Sequence, residues 1–202
     1  PVLEACAATG THYVDITGEV VPYVRDSVRA LHDQARATGA KIVHCAGYDS
    51  VPSDLLCLLA IDALRAAGQR CSRCIVGYDL LGTLGYMSSG TLLSIVGIVA
   101  HLQNKPADLA DALDPLCLAA PRPRRSALAR ARAVAHAALT GGDAWLLPGW
   151  SPALNAWHFF FGMAACNTRI VRRSRYLLDD APRDFAYYEV LATCYLLLAT
   201  CE

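Results

Sequence analysis

Two short clusters of polar residues near the start of the chain have the residue types for ligand binding and proton transfer. Residues 13–19 (YVDITGE) contain the carboxylates Asp15 and Glu19, and residues 47–54 (GYDSVPSD) contain Asp49. A carboxylate accepts hydrogen bonds from a ligand or exchanges a proton with it. The second cluster also surrounds a predicted helix start, where backbone N–H groups bind anions. These residue types indicate a polar cleft, provided that the fold brings both clusters together.

The elements around the two clusters predict that arrangement. A short strand is predicted at residues 11–16, and the apolar run at residues 41–46 is typical of a strand buried in a parallel sheet. Helices are predicted at residues 21–35 and from residue 50 or 51 to residue 64. Such alternation favours an α/β fold, in which ligands bind beyond the carboxyl ends of the strands. Helix capping and turn formation are the alternative role for these residues. The candidate binding residues are Asp15, Gly18, Glu19, Gly47, Asp49 and Ser50.

A third cluster, Ser88, Ser89, Gly90 and Thr91, lies where a predicted flexible loop (residues 82–90) meets an apolar helix predicted at residues 91–102. Small hydroxyl groups and a glycine before a helix are suited to contact with phosphate or amide groups. A flexible connector with an N-cap is the alternative interpretation of this cluster.

The pattern of the elements changes after Gly68. Apolar and polar residues alternate at residues 74–80, which predicts a half-exposed antiparallel strand. Two later strands are predicted at residues 170–171 and 185–190, and a helix at residues 128–139. We therefore expect two domains, formed by residues 1–68 and residues 69–202.

The composition narrows the class of protein. With 18 basic and 18 acidic residues the formal net charge is zero, which excludes a general attraction to nucleic acid. Hydrophobic residues make up 54% of the chain, enough for a sizeable core. The nine cysteines are scattered, mostly in apolar runs, and predict free thiols in a reducing, intracellular compartment. The spacing of cysteines and histidines predicts no metal site.

Taken together, the clusters resemble the saccharopine dehydrogenase-like oxidoreductases, a family that includes the trans-acting enoyl reductases. The resemblance lies in GTHYVDITGE at residues 10–19, followed by GYDSVPSD at residues 47–54. Two weaker similarities follow in the family's order. They are SSGTLLS at residues 88–94, and IVRRS with FAYYE at residues 170–174 and 185–189, which resemble a late strand pair of the family.

The resemblance implies an α/β fold in which a partial Rossmann-type parallel sheet is followed by a smaller α+β domain. It also implies that the complete protein binds NAD or NADP and transfers hydride to a carbonyl or unsaturated substrate, either a small molecule or a lipid. The six candidate residues at the strand ends would flank the nicotinamide, and residues 88–91 would approach from the substrate side. The resemblance assigns no catalytic acid.

Three departures from the family's pattern change this expectation. The Gly-rich turn that places a pyrophosphate at a helix N-terminus is absent from the chain. Ser89 replaces one glycine of the family's double-glycine loop, and Asn167 stands where the family often has an aspartate. We therefore expect a fragment of a longer enzyme that binds no cofactor and is inactive by itself. The sequence does not distinguish NAD from NADP.

A non-catalytic membrane- or lipid-droplet-associated protein on the same scaffold is the alternative function. This hypothesis depends on the high apolar content, the arginines between residues 122 and 132, and the aromatic segment at residues 145–161. An incomplete sheet also exposes a strand edge and apolar surface, which predicts self-association into a homo-oligomer.

Overall fold

The first part of the chain alternates helices with short strands. A computed structural model describes residues 1–79, 89–119, 147–180, 185–193 and 198–201. Helix α1 (Val2–Thr9) leads to strand β1 (Tyr13–Val14), helix α2 (Arg25–Thr38) leads to strand β2 (Ile42–Val43), and helix α3 (Val51–Ala66) follows. The two helices predicted in this part are confirmed, although α2 begins at Arg25 rather than at residue 21.

Residues at the helix ends explain these boundaries. Gly10 and Gly39 follow α1 and α2 with φ values of 75° and 79°, a left-handed conformation that strains other side chains. Pro52 lies in the first turn of α3, where its missing N–H removes no helical hydrogen bond. A π-helical turn, Val20–Val24, joins β1 to α2 and buries Val24 below the start of α2.

Strands β1 and β2 form a two-stranded parallel sheet in which Tyr13 pairs with Ile42 and Val14 with Val43. The pairing is shorter than the predicted strands because Cys45 adopts a left-handed φ of 59°, and beyond it the Ala46 N–H donates to the Asp15 carbonyl oxygen at 2.8 Å. The side chains of Val14 and Val43 are 65% and 49% exposed, so the described residues leave one face of this sheet open.

A second sheet contains five strands in the order β4-β5-β6-β3-β7. Strand β3 runs parallel to β6, and the other neighbouring pairs are antiparallel. The parallel pairs and the packed helices confirm the predicted α/β fold class. The strands are β3 (Arg73–Asp79), β4 (Gly149–Ser151), β5 (Ala156–Phe159), β6 (Ala186–Ala192) and β7 (Leu198–Cys201).

The strand predicted at residues 74–80 is confirmed as β3 and pairs antiparallel with β7, but it also pairs parallel with β6 and is not half-exposed. Strand β3 lies inside the sheet between β6 and β7, and its residues from Cys74 to Gly77 are buried. Cys74 and Val76 pack in a core with Ile61 of α3, whereas Ile75 packs on the opposite face in a core with Leu154. Both faces are therefore covered from Cys74 to Gly77, and within the strand only Arg73 is exposed.

The later helices correct a second prediction. Residues 170–171, predicted as a strand from their β-branched side chains, lie inside helix α6 (Ala164–Leu178), where arginine, alanine and leucine neighbours favour a helix. The other member of the predicted late strand pair is confirmed as β6. Helix α4 (Ser89–Asn104) confirms the helix predicted at residues 91–102, and a 3₁₀ turn (Pro106–Asp108) and helix α5 (Leu109–Leu113) follow it.

Some predictions lie outside the described residues, namely the helix at residues 128–139, the arginines between residues 122 and 132, and most of the loop at residues 82–90. No helix in the described part of the chain is both long and apolar enough to span a membrane. The domain boundary near Gly68 stays a prediction.

Candidate functional site

The carboxylate of Asp15 joins the ends of strands β1 and β2. Its Oδ2 accepts a hydrogen bond from His44 Nδ1 at 2.6 Å, and its Oδ1 accepts the backbone N–H groups of Thr17 at 3.1 Å and Cys45 at 3.2 Å. Burial is the largest influence and raises the pKa of Asp15, but the hydrogen bonds from these three donors together outweigh it and bring the pKa below its ordinary value. Asp15 is therefore ionised at neutral pH and orients His44.

His44 extends this arrangement to helix α2. Its Nε2 lies 2.8 Å from Ser27 Oγ, and the Ser27 hydroxyl also lies 2.9 Å from the Val24 carbonyl oxygen. The rings of Tyr13 and Tyr23 meet the His44 ring edge-on, at centroid distances of 6.1 and 5.4 Å. Asp15, His44 and Ser27 thus form a hydrogen-bonded relay from the strand end to the helix.

Gly18 and Glu19 leave more room for a ligand than Asp15 does. Gly18 is exposed, and a Cβ placed on it would meet only Met163 Cε, at 3.8 Å. The backbone N–H of the half-buried Glu19 donates to Thr17 Oγ1 at 3.1 Å, which holds this turn in place.

Gly47 is required by packing inside the chain. A Cβ at this buried position would collide with the Asp49 carboxylate and lie 3.2 Å from Ile16 Cβ. The Gly47 carbonyl oxygen accepts the N–H groups of Ser50 at 3.2 Å and Val51 at 2.9 Å, which starts helix α3. Gly47 therefore positions the helix start below the strand end.

Asn167 connects the start of helix α3 to helix α6. Ser50 Oγ donates to Asn167 Oδ1 at 2.9 Å, and Asn167 Nδ2 donates to the Asp49 carbonyl oxygen at 2.7 Å and to Ser53 Oγ at 3.2 Å. Ser50, Ser53 and Asn167 are almost completely buried. The predicted site residues Asp49 and Ser50 are therefore held by an element more than a hundred residues further along the chain.

Beneath the helix start lies a set of side chains that we call the buried polar cluster. Glu189 Oε1 accepts hydrogen bonds from the Ser53 hydroxyl and, at 3.1 Å, from the Tyr187 hydroxyl, and a further hydrogen bond joins the hydroxyls of Ser53 and Tyr78. Glu189 is fully buried, and its Oε2 has no hydrogen-bond partner in the described part of the chain. The members of the cluster are Ser53, Tyr78, Asn167, Tyr187 and Glu189.

The environment of Glu189 favours its neutral form. Burial raises its pKa, and hydrogen bonds from Ser53, Asn167 and the two tyrosines only partly offset this. Burial also raises the pKa of Tyr78. No arginine or lysine of the described residues forms an ion pair with Glu189. A buried carboxyl group with a raised pKa, connected to a half-buried tyrosine, is a candidate for proton transfer.

The third predicted cluster adopts a different local structure from the one expected. Ser88 lies outside the described residues, while Ser89, Gly90 and Thr91 are exposed and form the first turn of helix α4 rather than a loop. Their predicted role on the substrate side stays a prediction.

Sequence reasoning selected none of the five members of the buried polar cluster as site residues, although Ser53 lies within the second predicted polar segment at residues 47–54. One feature of the sequence pointed to Glu189, which is an acidic residue inside an otherwise apolar and aromatic strand. Acidic residues are almost never fully buried unless they are paired. Among the described residues no cluster of histidine, cysteine and acidic side chains is able to hold a metal ion.

Comparisons with known proteins identify relatives along nearly the whole chain. It is 36% identical over 209 residues to a candidate trans-acting enoyl reductase of Mycobacterium tuberculosis, an alignment that covers 98% of this chain and 46% of that protein. It is 33% identical over 198 residues to a trans-acting enoyl reductase of Mycobacterium leprae, covering 95% and 44%. No protein-family model and no solved structure matches the chain. The chain thus spans about half the length of the curated relatives it matches and is similar to proteins named as enoyl reductases.

Proposed function

We propose that this chain is part of a nicotinamide-dependent oxidoreductase of the saccharopine dehydrogenase-like kind, which reduces an unsaturated or carbonyl substrate. The observation that carries the proposal is the fully buried carboxyl group of Glu189, whose pKa burial raises and which Ser53 connects to the half-buried Tyr78 hydroxyl. Reduction of a polarised double bond adds a hydride and a proton, and the cluster offers the proton. The names of the relatives support reduction of an enoyl group.

The residues that follow strands β1 and β2 are suited to hold the nicotinamide end of a dinucleotide. A bound NAD or NADP would supply the hydride. Gly18, Glu19 and Asp49 are exposed or half-buried and would hold the nicotinamide end, whereas Gly47 and Ser50 are buried and support the start of α3. The sequence has no G-x-G-x-x-G fingerprint for the pyrophosphate. We therefore expect the chain to need further residues to bind a cofactor.

The buried polar cluster gives the proton a defined route. Protonation of Glu189 reverses the donor in its hydrogen bond with Ser53: the carboxyl O–H then donates to Ser53 Oγ, and the Ser53 hydroxyl turns to donate to Tyr78 Oη. This arrangement leaves the Tyr78 O–H free to donate to the substrate. When Tyr78 gives up its proton to the substrate, the Ser53 hydroxyl passes its own proton to Tyr78. The Glu189 carboxyl group in turn passes its proton to Ser53. The negative charge then rests on Glu189, where the hydroxyls of Ser53 and Tyr187 stabilise it until water returns a proton.

Isothermal titration of NADPH and NADH tests the cofactor part of the proposal. The ligands are added to this chain and to a form lengthened upstream to the size of its relatives. Binding to the lengthened form alone is the expected result, because it would add the missing pyrophosphate site. If both forms fold and neither binds either nucleotide, the oxidoreductase proposal is wrong.

Tyr78→Phe tests the proton route in the form that binds cofactor. Cofactor affinity is expected to stay unchanged, while the rate of reduction of an α,β-unsaturated substrate falls by about 10²–10⁴-fold, the usual contribution of a positioned acid. Tyr176→Phe is the matched control, since the Tyr176 side chain is 54% exposed on helix α6. Equal reduction rates for Tyr78→Phe and the unchanged protein would exclude Tyr78 as the donor.

Helix α4 favours membrane or lipid-droplet association as the second candidate function. None of its residues is buried, and an exposed apolar helix is suited to a lipid surface. Sedimentation with phospholipid vesicles tests this candidate, and Leu93→Asp should abolish any binding that the helix provides. A chain that stays in the supernatant would exclude it. The large exposed side chains are Leu92, Leu93, Ile95, Val96 and Val99.

A further inference from the structure

A cavity of about 270 Å³ lies between helices α1 and α2, strand β2 and one side chain of helix α6. One part of its wall is apolar and includes Val28, Leu31 and Ile42. The other part carries hydrogen-bond donors. No residue of the buried polar cluster lines the cavity, so a ligand here would be additional to the proposed reduction. The polar lining residues are Ser27, His32, Arg36, His44 and Arg173.

The charge of the lining residues has one sign. Among the described residues, every titratable side chain that lines the cavity is an arginine or a histidine. The nearest carboxylate in the relay, Asp15, lies behind His44 and is already bonded to His44 Nδ1 and to two backbone N–H groups. The other ring nitrogen of His44, Nε2, lies 2.8 Å from the hydroxyl of Ser27, which also lines the cavity.

Arg173 is the most informative of these residues. Its guanidinium donates to the Leu118 carbonyl oxygen at 2.7 Å and has no carboxylate partner in the described part of the chain. Burial lowers the pKa of Arg173, which means that the cation has lost water without gaining an opposite charge. An oxyanion in the cavity would compensate that loss, and the planar guanidinium matches carboxylate and phosphate oxygens in pairs.

We propose that the cavity binds an amphipathic oxyanion, with its carboxylate or phosphate head on Arg173 and Arg36 and its short aliphatic chain along the apolar wall. The volume is close to the lower end of ordinary small-molecule sites, which begin at about 300 Å³. A chain of roughly eight carbons therefore suits the space better than a long acyl chain.

Isothermal titration of octanoate into the 202-residue chain is the direct test. Octanol presents the same aliphatic chain without charge and acetate the same charge without the chain, so both are expected to bind at least about tenfold more weakly than octanoate. Octyl phosphate, titrated in parallel, distinguishes the two heads, because the tighter of the two ligands identifies the preferred oxyanion. Equal affinity for octanol and octanoate would overturn the proposal.

Substitutions place the binding in this cavity. Arg36→Gln and Arg173→Gln are each expected to weaken octanoate binding by about tenfold or more, while Arg70→Gln, at an exposed arginine away from the cavity, leaves it unchanged. Circular dichroism checks that each variant folds. If Arg173→Gln unfolds, Arg36→Gln, at an exposed position, becomes the main test. Arg173→Lys, which keeps the charge, then replaces Arg173→Gln. Unaltered affinity in the folded glutamine variants would refute the assignment.

Discussion

The pH dependence of folding tests the state of Glu189 directly. Burial raises its pKa above the ordinary value of 4.5, so the folded protein binds this proton more tightly than the unfolded chain does. A raised carboxyl pKa destabilises the folded state as the pH rises. The free energy of unfolding is unaffected by this group below about pH 4.5, falls above it, and stops falling once the pH exceeds the folded-state pKa.

Glu189→Gln removes the dependence of the unfolding free energy on the protonation of this side chain and changes little else. The amide oxygen keeps the acceptor for Ser53 and Tyr187, and the amide nitrogen replaces Oε2, which has no partner among the described residues. At pH 4 the two proteins should therefore agree within about 1 kcal/mol in unfolding free energy. Above pH 4.5 the unchanged protein loses up to about 1.4 kcal/mol per pH unit relative to the variant. The variant is expected to be the more stable protein at pH 8.

Urea unfolding of both proteins at each unit from pH 4 to pH 8 measures the difference. Other titrating groups are common to both and cancel. Glu189→Leu is the companion variant, because it leaves the hydroxyls of Ser53 and Tyr187 without an acceptor and should cost about 2–6 kcal/mol at every pH. A difference between Glu189→Gln and the unchanged protein that stays constant, or that moves in favour of the glutamate as the pH rises, would show that Glu189 is ionised and well solvated.

Two further substitutions test the strand ends. Asp15→Ala leaves the N–H groups of Thr17 and Cys45 without their acceptor and should lower the free energy of unfolding by about 2–4 kcal/mol at pH 7 in urea titrations. Because the pKa of Asp15 is lowered in the folded protein, the part of this advantage that depends on its ionisation should decrease as the pH falls from 3.8 through the folded-state pKa, and an advantage that stays constant down to pH 2 would contradict the assignment. Gly47→Ala should cost about 1–3 kcal/mol in thermal unfolding, because its Cβ collides with Asp49 and crowds Ile16. The matched Gly18→Ala should stay within about 0.5 kcal/mol, and equal losses at both glycines would refute the packing argument.

Local patterns in the sequence predicted the elements that depend on neighbours along the chain. The spacing of apolar residues and Gly39 predicted where α2 lies and where it ends, since helix periodicity and left-handed caps are local properties. The same reasoning failed at residues 170–171, where intrinsic β-propensity was outweighed by the packing of a whole helix on α3.

For the candidate site, too, the sequence predicted some features and not others. The order of strand, polar residues and helix predicted Asp15, Asp49 and Ser50 as neighbours of a cleft, because strand ends of a parallel sheet lie side by side. Their resemblance to a known family suggested the chemistry. The sequence did not show that Ser50 is buried or that the Asp15 carboxylate already accepts hydrogen bonds from His44, Thr17 and Cys45. Both properties depend on which groups pack around these residues.

Tertiary structure alone decided which residues form the buried polar cluster. Ser53 and Glu189 are 136 positions apart, and Ser50 and Asn167 are 117 apart, so no local pattern relates them. They meet because α3 packs against the second sheet and against α6, and a buried carboxyl group is stable only where hydroxyl donors surround it. The sequence determined the elements and the polar strand ends, whereas the proton affinity of Glu189 arises only when distant elements exclude water around it.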